Sequence, residues 1–265
     1  MSESLTVTAL SVTPVKGTRI RRVDSVELTR AGAVGDRRFF IVDERDRMVN
    51  AKQLGRLQTV CAEWDPASRR LALVFPDGRR VEEIVRLGEP LTTRFYSSPR
   101  EERLVEGPWA AALSEHVGVA LRLVETETGV DRGATGAASL ISAASLKRLA
   151  AEAEPPIDEL DARRFRMLIE FDGVEAHAED AWVGRRIAVG EAELRVEGHV
   201  GRCLITGRDP ETGISNLPTL DMLGYYRLGA DTTEPLAFGV YGQVTREGIV
   251  RVGDALSVDD ALSVE

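Results

Sequence analysis

The chain has 265 residues, of which 43% are hydrophobic and 29% charged, and a net charge of −9. Only three of its 34 basic residues are lysines, Lys16, Lys52 and Lys147. That size supports one large core or two closely joined smaller ones, and the acidic balance argues against nucleic acid or an anionic membrane as the main partner. No window approaches the eighteen or so apolar residues of a membrane span, and MSESLTVTALSV lacks the basic start of a signal peptide, so a cytoplasmic protein with reduced thiols at Cys61 and Cys203 is expected.

Short alternating runs predict strands over Leu5–Val15, Asp24–Thr29, Arg38–Val42, Leu71–Phe75 and Arg80–Val85. Pro76-Asp77-Gly78 reads as the turn of a hairpin. A helix is predicted over Pro108–Val117, where Pro suits a first turn. The Gly-, Ala- and Thr-rich stretch Thr126–Ala138 reads as a loop, and a boundary between two units falls between about Thr93 and Gly129. A second helix is predicted over Ser142–Glu154, with Ser142 as N-cap and Pro155-Pro156 as its stop. Strands follow at Arg166–Phe171, Arg186–Val189, Glu193–Gly198, Leu236–Val244 and Ile249–Val258, with a short helix at Pro218–Arg227. This pattern predicts a mainly β protein of barrels or sandwiches rather than βαβ units.

Several familiar chemistries are missing. No GxGxxG, GxxxxGK[ST] or GxSxG pattern is present, which argues against a dinucleotide fold, a P-loop or a nucleophile elbow. His116, His177 and His199 are scattered, and two lone cysteines cannot ligate an iron–sulfur cluster. What remains is Cys203 directly after Arg202, in the turn-rich segment GHVGRCLITGRDPETG. A neighbouring cation favours thiolate, the form that binds soft metals or attacks electrophiles. Lys16, Arg37 and Arg166 also sit in turn contexts suited to holding an anion. Asp36, Glu179, Asp209 and Glu211 are expected to orient arginines or cap turns, and His177 and His199 to be structural.

Taken in order, PVKG, GDRRFFIVD, RFRMLIEFDG, AED with Trp182, GRC, DPETG, FGVY and VGD resemble the two-part MOSC-domain proteins, the arrangement of the amidoxime-reducing component family. The resemblance spans about Leu10 to Val258. It implies an N-terminal MOSC β-barrel region over residues 1–110 and a C-terminal MOSC domain over 111–265, with the first strands able to contribute to the second unit. It also implies a molybdenum cofactor (Mo-molybdopterin) with Cys203 as metal ligand and catalytic residue. On the same match Lys16, Gly17 and Arg37 hold the cofactor's anionic end, Thr135 and Gly136 lie beside it, and Arg166, Gly201, Arg202 and Tyr241 contact it or line the pocket. The implied activity is reduction of an N–O bond in a small N-hydroxylated substrate, with electrons from a separate ferredoxin-, flavin- or cytochrome-type protein. The chain departs from the family pattern at several positions. Val200 replaces a second cysteine, Gly201 a serine, Met167 and Leu168 a Pro-Asn pair, and Gly17 and Gly136 hydroxyl residues. Two other roles stay open: a metal-free sulfur carrier using a persulfide on Cys203, and a non-catalytic molybdopterin carrier.

Overall fold

The structure, a computed structural model, describes residues 5–95, 98–126 and 133–259. The N-terminal part runs through β1 (Leu5–Val12), β2 (Arg21–Val23), β3 (Ser25–Thr29), β4 (Gly32–Ala33), β5 (Phe39–Val42) and β6 (Met48–Val49). It continues with β7 (Cys61–Asp65), β8 (Arg70–Val74), β9 (Arg80–Ile84), β10 (Arg86–Phe95), β11 (Ser98–Glu106), helix α1 (Trp109–Val117) and β12 (Arg122–Glu125). Then come β13 (Ala138–Ser142), α2 (Ala143–Ala151), β14 (Ile169–Asp172), β15 (Arg186–Val189) and β16 (Ala192–Gly201). The last elements are α3 (Thr219–Tyr226), β17 (Ala237–Arg246), β18 (Gly248–Arg251) and β19 (Ala255–Val258).

The fold is mainly β. Strands β14, β13, β17, β16, β15, β19 and β1 pair in that order, and β1 returns to β14 to close a seven-stranded barrel. Closure leaves no edge among these strands, so every ladder hydrogen bond inside the ring has a partner. The barrel is filled by Leu10, Leu140, Ile169, Phe171, Leu194, Val240 and Val244, all fully buried. Each such side chain contributes roughly 1.5–3 kcal/mol by leaving water. The N-terminal strand is thus a stave of the C-terminal barrel, which is the contribution that the sequence leaves open.

The N-terminal part has its own sheet, in the order β10-β11-β12-β5-β6, and a meander β7-β8-β9. Phe39, Ile41, Leu71, Leu73, Trp109 and Leu113 form its core. Trp109 is buried whole because its indole N–H finds a carbonyl, that of Leu71 at 3.1 Å. A third pairing, β3 with β18, ties the two parts together.

The three helices fall where the sequence places them, and Ser142 caps α2 by accepting from the Ser145 N–H. Two strands differ from expectation. Arg163–Arg166 forms the end of a 3₁₀ turn rather than a strand start, because Arg166 takes a left-handed conformation (φ 55°), and pairing begins only at Ile169. The run Ile249–Val258 splits at Gly253 (φ 92°) into β18 and β19. Strands β10 and β11 escape the pattern because they are charged on both faces and β10 carries Gly88 and Pro90 beside a register shift. Residues 127–132 of the expected loop lie outside the described residues.

Candidate functional site

The turn after β1 is the first wall of the cleft. Val15 bridges to Phe39, with the Lys16 N–H donating to the Phe39 carbonyl at 2.8 Å and the Phe39 N–H to the Pro14 carbonyl at 2.9 Å. Inside the turn the Thr13 and Thr18 hydroxyls share a hydrogen bond of 2.8 Å. Lys16 is only 8% exposed. Gly17 has φ +97°, and a Cβ there would lie 3.2 Å from both the Ala51 nitrogen and Asn50. Glycine relieves strain here on two counts, since it accepts the positive φ and spares residues 50–51 a tight contact that a Cβ would press by a few tenths of an ångström.

Arg37 and Arg166 brace this turn from the other side. Both are non-glycine residues in the left-handed region (φ 48° and 55°), a local cost that surrounding contacts must offset and that concentrates at functional sites. The Arg37 N–H donates to the Thr13 carbonyl at 2.7 Å, its guanidinium pairs with Asp36, and its Nη2 donates to the Arg166 carbonyl at 2.8 Å. Asp36 in turn accepts from the Thr13 N–H at 2.7 Å. Arg166 donates to the Thr18 carbonyl at 2.8 Å. Three chain segments are thereby locked through arginine side chains. Asp36 orients Arg37, as its sequence context suggests.

The opposite wall is the end of β16. Register shifts between Val196 and Gly198 and between His199 and Gly201 break the regular alternation, the device by which a strand re-aims its side chains near a site. Arg202 turns back over the sheet. It donates to the Phe238 carbonyl (2.8 Å from Nε), the Phe165 carbonyl (3.0 Å) and the Met167 sulfur (3.0 Å), and its guanidinium lies 5.4 Å from the Phe165 ring centre. Cys203 follows in extended conformation and is exposed. Its carbonyl accepts from the Thr206 N–H and hydroxyl, at 3.1 and 3.0 Å, starting the 3₁₀ turn Leu204–Gly207.

Between the walls lies a cleft of about 490 Å³. Lys16, Gly17, Arg37, Gly136, Arg166, Gly201, Arg202, Cys203 and Tyr241 all line it. Thr135 is exposed, in the 3₁₀ turn Gly133–Gly136 next to the lining residue Gly136. Met167 and Leu168 are buried, 2% and 3% exposed, and present apolar surface to the cleft while Met167 also serves Arg202 as acceptor. At Gly201 a Cβ would sit 3.2 Å from Glu234 and the Pro235 carbonyl, so a serine there needs both neighbours to give. Asn50, Lys52 and Ser139 also line the cleft, and the sequence motifs do not reach them. The signal available for Lys52 was the rarity of lysine in an arginine-rich chain.

The DPETG turn holds the cysteine wall against the N-terminal part. Asp209 accepts from the Glu211 and Thr212 N–H groups at 2.9 and 2.8 Å, and the Thr212 N–H holds its carboxyl below the usual range. Glu211 pairs with Arg19 (2.9 Å) and Arg163 (2.6 Å). Gly213 (φ +71°) packs so tightly that a Cβ would fall far inside contact distance of the Gly55 carbonyl oxygen. Arg208 donates to the Gly213 carbonyl at 2.8 Å and to the Lys52 carbonyl at 3.1 Å.

The remaining polar residues are structural. Glu179 is fully buried, accepts from the Ser142 N–H (3.1 Å) and the Ser145 hydroxyl (2.8 Å), and burial pushes its carboxyl up. His177 lies 3.3 Å from the Tyr226 hydroxyl, and burial, reinforced by Arg227, lowers its pKa to about 4. His199 is 3% exposed and its Nδ1 accepts from the Thr233 N–H at 3.0 Å. Neither histidine lines the cleft. Cys61 is half-buried in β7, where burial pushes its thiol up.

Fold and site together define a closed-barrel protein whose cleft, walled by cations, carries one exposed thiol. The chain belongs to the MOSC-domain proteins. The MOSC domain family matches residues 127–257, and the MOSC N-terminal beta barrel domain family matches residues 4–96. Curated relatives include mitochondrial amidoxime-reducing component 1 of Xenopus laevis, 25% identical over 94% of this chain and 80% of that one. The same component of Danio rerio is 28% identical over 94% and 83%. Among solved structures the chain is similar to the YUAD protein from Bacillus subtilis, with a TM-score of 0.48, 13% identity and coverage of 96% and 95%. Among the described residues no helix is long and apolar enough to cross a membrane.

Proposed function

We propose that this protein binds a molybdenum cofactor in the cleft, with Cys203 as metal ligand, and reduces the N–O bond of small N-hydroxylated substrates with electrons from a separate donor protein. The observation that carries this reading is the exposed Cys203 thiol opening into a cleft bordered by Lys16, Arg37, Arg166 and Arg202. Family membership and the names of the amidoxime-reducing relatives support it. When bound, the molybdenum centre supplies two-electron chemistry at the substrate oxygen.

The residues present suit such a group. A thiolate is the soft ligand that molybdenum takes, and the cations with nearby glycine backbone suit a pterin phosphate. Lys16, nearly buried, places a compact positive charge, whereas Arg37 and Arg166 are pre-set by their hydrogen bonds and lose little freedom on binding. Gly17 and Gly136 line the cleft without a side chain. Met167, Leu168 and Val200 give the cleft apolar lining, which disfavours water there. The exposure of Cys203, with Val200 where a second cysteine would stand, also favours a second reading, a persulfide carried on Cys203 without metal.

Molybdenum content separates the two. Protein made in a cofactor-competent host and purified without oxygen is expected to hold near-stoichiometric molybdenum, with Cys203→Ser losing it and folding unchanged. Absence of metal from both, with a persulfide detected by mass on Cys203, overturns the reductase reading. Bound cofactor that turns over no N-hydroxylated compound leaves a molybdopterin carrier.

A further inference from the structure

We infer that Lys52 is a specificity residue at the mouth of the cleft, selecting substrates that carry an anionic group, such as a carboxylate, away from the reacting nitrogen. The inference rests on the reductase reading and names the substrate class for that site. Two of the three lysines in the chain line this one cleft, but at different depths. Lys16 is nearly buried at the wall, whereas Lys52 is exposed at the rim.

The segment carrying Lys52 is built, not loose. The Lys52 N–H donates to Asn50 Oδ1 at 2.8 Å, and the Gln53 and Leu54 N–H groups both donate to the Asn50 carbonyl at 3.0 Å. The preceding Ala51 is fully buried. The Lys52 carbonyl accepts from Arg208, which directly follows the Leu204–Gly207 turn begun by Cys203. The Gly55–Gly213 contact clamps the same segment onto the DPETG turn. The backbone carrying Lys52 is thus fixed against the segment that carries Cys203, and its long flexible stem shares the cleft with the thiol.

Its ammonium has no ion-pair or hydrogen-bond partner among the described residues, in a chain where most arginines flanking the cleft are already engaged. Arg37 is paired with Asp36, Arg166 with the Thr18 carbonyl and Arg202 with the Phe165 and Phe238 carbonyls. Among the described residues the one acidic side chain lining the cleft, Asp36, is committed to Arg37. A protein with a net charge of −9 repels anions at long range, so an unengaged cation at the entrance acts locally, within about a Debye length of 8–10 Å. Lysine suits a rim position, since a compact charge on a rotatable stem meets anions placed at varying distances.

The test uses molybdenum-loaded protein and a matched pair, benzamidoxime and 4-carboxybenzamidoxime, assayed both by reduction with a chemical electron donor and by calorimetric binding. The parent is expected to favour the carboxylated compound about tenfold, in KM and in Kd rather than in kcat, with the preference shrinking as salt rises. Lys52→Gln should abolish that preference and leave benzamidoxime unchanged, and Lys52→Arg should keep most of it. Equal handling of the two compounds by the parent overturns the inference, as does loss of molybdenum in Lys52→Gln, which would make Lys52 a cofactor contact. The reductase reading is judged separately, by metal content and by turnover of neutral benzamidoxime. If neither compound is reduced, a tenfold binding preference lost in Lys52→Gln still sustains the charge selection, and no preference ends it.

Discussion

The two walls of the cleft reach the same end by different physics. The cation wall is held by side chains: Arg37, Asp36, Arg166, Thr13 and Thr18 close a network that joins three segments of chain. The cysteine wall is held by backbone, through register shifts in β16, the capped DPETG turn and a glycine-on-glycine contact with residue 55. A side-chain network tolerates graded change, because each lost hydrogen bond costs about 1–3 kcal/mol. Tight backbone contact tolerates almost none, since there is no flexible atom to move.

The sharpest way to break this comparison is Gly213→Val. It places a branched side chain at φ +71° and against the Gly55 carbonyl. A loss of about 3 kcal/mol in unfolding free energy is expected, with molybdenum retention falling alongside, read by denaturant melts and metal analysis. If stability holds and metal is kept, the turn does not anchor the cysteine wall. Arg37→Gln should cost less, about 2 kcal/mol, because it leaves Asp36 without its cation but keeps hydrogen-bonding capacity. A change within 0.5 kcal/mol, the scale of an ordinary surface substitution, would mean that the network is ornamental.

The smallest effect belongs to His177, outside both walls. Its folded pKa of about 4 lies below the ordinary value of 6.5, so the unfolded chain binds the proton more readily. That contribution to stability is full above about pH 6.5 and is lost as pH falls toward 4. For a half-buried ring the difference is discounted to about 1 kcal/mol. His177→Asn, chosen because Asn tolerates the left-handed backbone at φ 66°, should flatten the stability profile between pH 6.5 and 4 relative to the parent. A parallel profile would show that the histidine is solvated.

Much of this was legible in the residues. Strand alternation, the Ser142 cap and the ordered motifs from PVKG to VGD reflect local chemistry, period-two burial, turn residues and capping, which a linear pattern records. The charged strands β10 and β11 were not legible, since charges are spread along both and the alternation of β10 is confined to its last residues, 91–95, beyond a register shift. Arg166 reads as a strand residue until its left-handed backbone is seen, because that conformation is imposed by contacts with Thr18 and Arg37.

By itself, then, the sequence determined a mainly β chain, a family, and a cysteine set among cations, because these rest on periodicity and on residue types at short spacing. Tertiary structure decided three things. It made β1 the closing stave of a barrel whose other strands begin more than a hundred residues later, it turned Arg202 inward onto the Phe165 and Phe238 carbonyls, and it brought Lys52 into the lining of the cleft that holds Cys203. Each depends on contacts between segments far apart in the chain, whose geometry no local pattern encodes.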